Sequence, residues 1–188
     1  VRAASLHADV WHVMRGLPYV MRLMGSGLVR PKNPIPGIDL AGEVVALGPG
    51  ATRFKVADAV FGQCVRGHQW QNAGAFAEFA AVREVDLALK PQDVSFEAAA
   101  ASATSGLIAL DNLDVDAMRP GCKVLVNGAG GGVGTIALQI IKSLGATVTA
   151  VDDDSKLDML RALGADHVID YRREDFTESK ERYDIVFD

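Results

Sequence analysis

The sequence predicts an α/β protein, a small antiparallel barrel followed by a doubly wound parallel sheet. Up to about Pro91 the chain runs in short apolar segments broken by Gly and Pro. From Gly121 onward, strand-like and helix-like segments alternate, the rhythm of a parallel sheet with helices on its faces. Between two apolar runs, Val124 to Gly145, five glycines fall within seven residues.

The barrel is expected from "GIDLAGEVVALGPG", "TRFKVADAVFG", "GAFAEFAAV" and "DLALKP", strands of barrel length divided by turn residues. The segment from Val13 to Gly37 holds too many Gly and Pro residues for one long helix, and a loop with a short helical turn is expected there. At "DVSFEAAAASATSGLIALDNL" the character changes. Ser95 suits an N-cap, Glu97 the first turn, and the alanine run favours helix. A domain boundary is therefore expected between residues 94 and 95, giving units 1–94 and 95–188. After it come "KVLVNGA", "VGTIALQIIKSLG", "TVTAVD", "SKLDMLRALG", "HVID" and "DIVFD", read as strand, helix, strand, helix, strand, strand.

Composition narrows the function. With 19 Lys and Arg against 24 Asp and Glu, the chain has a net charge of −5 and no basic tract to receive a nucleic acid. No apolar run approaches the roughly 20 residues that span a bilayer. Nucleic acid and membrane are poor partners. Cys64 and Cys122 lie far apart with no Cys-x-x-Cys, which gives neither a disulfide framework nor a zinc ribbon and suits a reducing, cytoplasmic setting. The chain opens on Val1 in strand-like text without an initiator Met and stops at Asp188 after an apolar run. A fragment is expected, lacking an N-terminal strand and the rest of the parallel sheet.

The glycine-rich stretch carries the clearest chemistry. Ala129-x-Gly131-x-x-Gly134 follows a strand and opens a helix whose apolar positions are Val133, Ile136, Ile140, Ile141 and Leu144. This is the setting of the dinucleotide fingerprint: glycines turn the chain tightly and bring backbone N–H groups to a pyrophosphate, and the helix N-terminus adds partial positive charge. A ligand-free strand-to-helix turn is the alternative. Asp152 ends the next strand, 18 residues after Gly134, where a carboxylate accepts hydrogen bonds from ribose hydroxyls. Asp153 and Asp154 follow it, and a 2′-phosphate beside three carboxylates meets like-charge repulsion. NAD is favoured over NADP, with Lys156 as the one nearby cation that argues otherwise. The expected cofactor-binding residues are Ala129, Gly130, Gly131, Gly132, Val133, Gly134, Asp152 and Lys156.

These residues, with "PGIDLAGEVVALGPGATRFKVADAVFG", "GAFAEFAAV" and "LGADHVIDYRREDF", resemble the medium-chain dehydrogenase/reductase superfamily, closest to its zinc-independent quinone-oxidoreductase branch. The resemblance implies a GroES-like barrel on the substrate side and a Rossmann domain for the nicotinamide cofactor. It implies hydride transfer to a quinone, enone or related carbonyl, and a homodimer for the full-length protein. A zinc-free alcohol dehydrogenase and a noncatalytic nucleotide-binding relative remain as alternatives.

Where zinc-dependent members place a Cys, this chain has His7, and where they place a His it has Ile38, which ligates no metal. Zinc is not expected. A residual site built from His7, Asp39, Cys64 and His68 would need three loops to converge. Zinc-free relatives commonly read "SLNPVDW" where this chain reads "SLHADVW", so His7 is a candidate to polarise a carbonyl or deliver a proton, with Asp9 to orient it; a structural histidine is the alternative. Thr104, in "SATSGL", resembles the family threonine beside the nicotinamide; the alternative is a hydroxyl bonded to its own helix backbone. His7, Asp9 and Thr104 form the expected catalytic set, and Trp11, Tyr19 and Trp70 an aromatic lining.

Overall fold

Antiparallel pairing of the short apolar runs organises the first part of the computed structural model, which describes residues 1–20, 22–23, 27–31, 33–65 and 72–188. Strands β1 (Ala3–Ala4), β2 (Asp39–Glu43), β3 (Ala59–Gln63) and β4 (Leu87–Leu89) form one sheet in that order. β2 and β3 pair with Asp39 opposite Gln63 and Glu43 opposite Ala59. "GAFAEFAAV" forms no strand. Gly74 turns at φ +93°, and the N–H groups of Ala75 and Phe76 bond the carbonyls of Gly37 and Pro36, which satisfies isolated donors without a ladder.

Helix α1 (Ala8–Arg15) starts before the segment expected to hold a helical turn and runs into its first residues, Val13 to Arg15. Its ends explain it: His7 caps the start by accepting the Asp9 N–H, and Gly16 closes it at φ +62°, where a residue without a side chain is unstrained. Val10 and Val13 are its buried residues, and Val10 packs with Ile38 and Val65.

Helix α2 (Phe96–Asn112) begins as the sequence suggests, with Ser95 Oγ accepting the Ala98 N–H at 3.1 Å. Its early alanines, Ala99 and Ala100, pack on Ala41 of β2. The chain divides into compact units Val1–Thr104 and Ser105–Asp188, so the division falls inside α2 rather than at the 94/95 boundary before it. The alanine-on-strand packing assigns the first half of the helix to the barrel-type unit.

The second unit alternates as expected: β5 (Lys123–Asn127), α3 (Gly132–Ser143), β6 (Thr147–Asp152), α4 (Leu157–Ala162), β7 (His167–Asp170) and β8 (Ile185–Phe187). The strands are parallel, ordered β7-β6-β5-β8. Val124, Val126, Leu138, Ile141, Val148 and Leu160 are almost wholly buried in its core, and each such side chain contributes about 1.5–3 kcal/mol. The face α3 buries most deeply is Gly134, Ala137, Leu138 and Ile141, rotated from the expected stripe of large residues; Val133, Ile136, Ile140 and Leu144 are only partly buried. Small residues there let the helix start lie directly on the turn after β5. β6 lies on one side of β5 and β8 on the other, so the glycine turn stands where the strand order reverses, the usual binding position in open α/β sheets.

Candidate functional site

In the second unit the glycine turn is built by close approach. A Cβ on Gly134 would lie 2.4 Å from the Gly128 carbonyl oxygen and 2.7 Å from the Ala129 Cα, both backbone atoms. A Cβ on Gly130 would meet the Lys156 stem and sit 2.9 Å from Asp152 Oδ2. Gly131 is less confined, its nearest contact being the Gly128 oxygen at 3.2 Å. Ala129 is fully buried and donates its N–H to Val151.

Not every amide of the turn is free. The Gly130 N–H goes to Asp152 Oδ2 at 2.7 Å and the Gly131 N–H to the Gly128 carbonyl at 2.9 Å. Those of Gly132, Val133 and Gly134, the first turn of α3, have no hydrogen-bond partner among the described residues. Three outward donors at a helix N-terminus suit an anion.

Asp152 sits 6 % exposed at the end of β6. Burial pushes its carboxyl up, yet the N–H groups of Asp153 and Gly130 and the Lys156 ammonium, 2.9 Å from Oδ1, outweigh burial and hold it below the usual aspartate range. Lys156 is not the lone cation here. β7 brings Arg172 to within 2.8 Å of Asp153 and Arg173 to 3.3 Å from both Asp154 and Asp170. From the sequence they stand some twenty residues away; only the β6–β7 pairing reveals them.

A second polar cluster lies wholly in the first unit. Asp39, 1 % exposed on β2, accepts the Thr104 hydroxyl on Oδ1 at 2.5 Å and the Ser5 hydroxyl on Oδ2 at 2.9 Å. Gln63, its cross-strand partner on β3, donates Nε2–H to Thr104 Oγ1 at 2.6 Å. Burial raises the Asp39 carboxyl above the usual range; the Thr104 and Ser5 hydrogen bonds and the His7 charge oppose that rise without cancelling it.

The expected catalytic residues divide on inspection. Thr104 spends its only hydrogen on Asp39 instead of its own helix, so it meets any further group as an acceptor. His7 Nδ1 is 3.4 Å from both the Asp9 N–H and the Asp9 carboxylate, a local pair at the head of α1. Asp39, Ser5 and Gln63 were absent from the expected catalytic set; the signal for Asp39 and Gln63 is the β2–β3 register and for Ser5 the β1–β2 pairing, which a single sequence carries only as adjacent apolar runs.

Trp11 and Tyr19 are each more than half exposed, while Trp70 and His68 lie outside the described residues. Cys64 Sγ is 3.0 Å from the Ile38 carbonyl. Among the described residues no three of His, Cys, Asp and Glu converge as a metal site, and no helix is long and apolar enough to cross a membrane.

Residues 1–92 match the alcohol dehydrogenase GroES-like domain and residues 132–188 the zinc-binding dehydrogenase family. The chain is 37% identical over 164 residues to the 2-methylene-furan-3-one reductase of Solanum lycopersicum, covering 84% of this chain and 42% of that protein. It is 36% identical over 169 residues to an NADPH-dependent alkenal/one oxidoreductase of Arabidopsis thaliana, covering 84% and 42%. The quinone oxidoreductase of Coxiella burnetii superposes with a TM-score of 0.85 at 31% identity, covering 100% of this chain and 57% of that one. The chain thus spans about half the length of the relatives it matches. On two domain matches, an antiparallel sheet followed by a parallel one, and a glycine turn at the strand-order reversal, the chain belongs to the medium-chain dehydrogenase/reductase superfamily, in its quinone-oxidoreductase branch.

Proposed function

We propose that the protein carrying this chain is an NAD(P)-dependent oxidoreductase that moves hydride between a nicotinamide cofactor and a quinone, enone or related carbonyl. The observation that carries the reading is the set of three unpaired N–H groups at Gly132, Val133 and Gly134 above a cradle that side chains would fill, with Asp152 at the neighbouring strand end. A dinucleotide fits that donor set: the amides would hold its pyrophosphate and Asp152 its ribose, and when bound it supplies the hydride. The relatives' names support the acceptor class, since an enone, an alkenal and a quinone all spread incoming charge through conjugation. Such substrates need less electrophilic help than a simple ketone.

The reading needs no zinc. Ile38 offers no ligand atom, Asp39 is engaged by two hydroxyls and His7 by Asp9.

NAD is favoured over NADP. Each cation near Asp152 is already paired with a carboxylate, and a 2′-phosphate would have to break such a pair while facing the other acids. One relative is named as NADPH-dependent, which makes the comparison worth measuring. Two cysteines far apart in the sequence, with no Cys-x-x-Cys, fit a reducing, cytoplasmic setting, although the Arabidopsis relative is named as chloroplastic. A homodimer is carried over from the family resemblance.

The experiment is fluorescence titration of the whole protein with NADH and NADPH, followed by turnover with a quinone, an enone and a secondary alcohol. Tighter NADH binding and turnover of the conjugated acceptors are expected. Turnover of the alcohol alone would favour an alcohol dehydrogenase, and binding without turnover a noncatalytic relative.

A further inference from the structure

The Asp39 cluster has a direction built into it. Asp39 and Gln63 face each other across β2 and β3, so their side chains leave the same face of the sheet, with the Thr104 hydroxyl bridging them. A threonine hydroxyl has one hydrogen. An ionised Asp39, acceptor only, takes that hydrogen at 2.5 Å, which leaves Thr104 Oγ1 to accept, and Gln63 must then turn its NH2 group inward. The amide orientation follows from the buried charge. Ser5 holds the other carboxylate oxygen. Among the described residues Gln63 has no partner for its second N–H or for Oε1, and its side chain is only partly buried.

We propose that Gln63 is a catalytic residue of the hydride-transfer reaction: its remaining Nε2–H donates to the oxygen of a carbonyl-bearing acceptor, held in place by Thr104 and Asp39 as positioning residues. The proposal rests on the functional reading above and adds the group that receives the developing charge. When hydride reaches the acceptor's carbon, the nicotinamide is oxidised, the acceptor's π bond breaks and its electron pair moves to the carbonyl oxygen. Gln63 stabilises that oxygen without giving up its proton, and water supplies the proton that completes the reduced product. A fixed amide donor of this kind does part of the work a metal ion does in polarising a carbonyl. By giving its hydrogen to Asp39, the Thr104 oxygen becomes the stronger acceptor for Gln63, which fixes the amide in place.

Protonation of Asp39 undoes the arrangement. The acid would then donate to a hydroxyl, Thr104 would be free to donate to Gln63 Oε1, and the amide would turn over. The groups acting on Asp39 are the Thr104 and Ser5 hydroxyls and the His7 charge, with Gln63 behind Thr104 and Asp9 beside His7. Turnover is expected to rise with pH as Asp39 ionises.

The test uses the whole protein with NADH and cyclohexenone. Gln63→Ala should lower kcat by about 100-fold with KM and NADH affinity within about threefold, as for loss of an oxyanion donor. Thr104→Ser should keep most of the activity and Thr104→Val should lose it. Asp39→Asn, whose amide mimics the protonated acid, should lose the acidic limb of the kcat profile. A readout independent of turnover is the infrared C=O stretch of cyclohexanone bound with NAD⁺, lower in the wild type than in Gln63→Ala. An unshifted wild-type stretch, or a Gln63→Ala enzyme with unchanged stretch and kcat within twofold, overturns the proposal. A wild type that binds NADH but reduces no acceptor defeats the functional reading instead, and the stretch alone then judges Gln63.

Discussion

Asp152 Oδ2 accepts the backbone N–H of Gly130 at 2.7 Å across 22 residues of chain, tying the end of β6 to the glycine turn after β5. The bond sets the turn before any ligand arrives, because a buried carboxylate with three donors around it is costly to move. Replacing Asp152 by Ala releases both the Gly130 amide and the Lys156 ammonium. NADH affinity should fall about tenfold, some 1.4 kcal/mol, and NADPH affinity should fall less. Fluorescence titration of both cofactors checks it, and an equal loss for the two would refute the ribose role of Asp152.

The glycines of the turn are not equivalent. Gly134 is pressed against backbone, which cannot rotate away, whereas a Cβ on Gly131 meets one oxygen at 3.2 Å. Gly134→Ala should destabilise the fold by about 1–3 kcal/mol and weaken NADH binding, while Gly131→Ala should cost distinctly less. Urea denaturation of the two variants ranks them, and the reverse order would mean that α3 does not rest on the turn as described.

The second unit was legible because its signals are local: a glycine turn between a strand and a helix, and an acid at the next strand's end. What escaped needed tertiary pairing. Arg172 and Arg173 reach the Asp152 region only because β7 lies beside β6, and the Asp39–Thr104 bond joins residues 65 apart. Local chemistry also misled. "GAFAEFAAV" has strand composition but forms no strand, and α1 hides in "HADVWHVMRG", where a histidine cap and a left-handed glycine make a helix of eight residues. The α3 stripe was turned because large apolar residues were expected to mark the buried face, while the closest contacts demand small ones.

Asp166 supports the start of β6. Its Oδ2 accepts the Val148 N–H and the Lys142 ammonium, each at 2.7 Å. Val148 is fully buried, so Asp166→Ala strands an amide and should cost about 1–3 kcal/mol. Lys142→Ala breaks a partly exposed ion pair but leaves the Val148 amide bonded, and should cost only about 1 kcal/mol or less. Chemical denaturation separates them; similar losses would assign the stabilisation to the ion pair and not to the amide.

Asp39 gives a pH signature of opposite sign to Asp152 and Asp166. Burial raises its pKa in the folded state, against 3.8 as its ordinary value, and its hydrogen bonds and the His7 charge only reduce that rise. The folded protein therefore holds the Asp39 proton more tightly than the unfolded chain does. Stability from this group is fully present below the unfolded pKa and is lost as pH rises through the interval up to the folded one. Asp152 and Asp166, held below the usual range, act the other way and lose stability as pH falls. Asp39→Asn removes only the first effect. The unfolding free energy of the wild type minus that of Asp39→Asn should then decrease as pH is raised from below 3.8 toward neutrality, with the other groups cancelling in the difference. Urea titrations of both proteins at a series of pH values measure it. A difference that is flat or rising would mean that Asp39 gains more from Thr104, Ser5 and His7 than it loses by burial, and that its charge is held without cost.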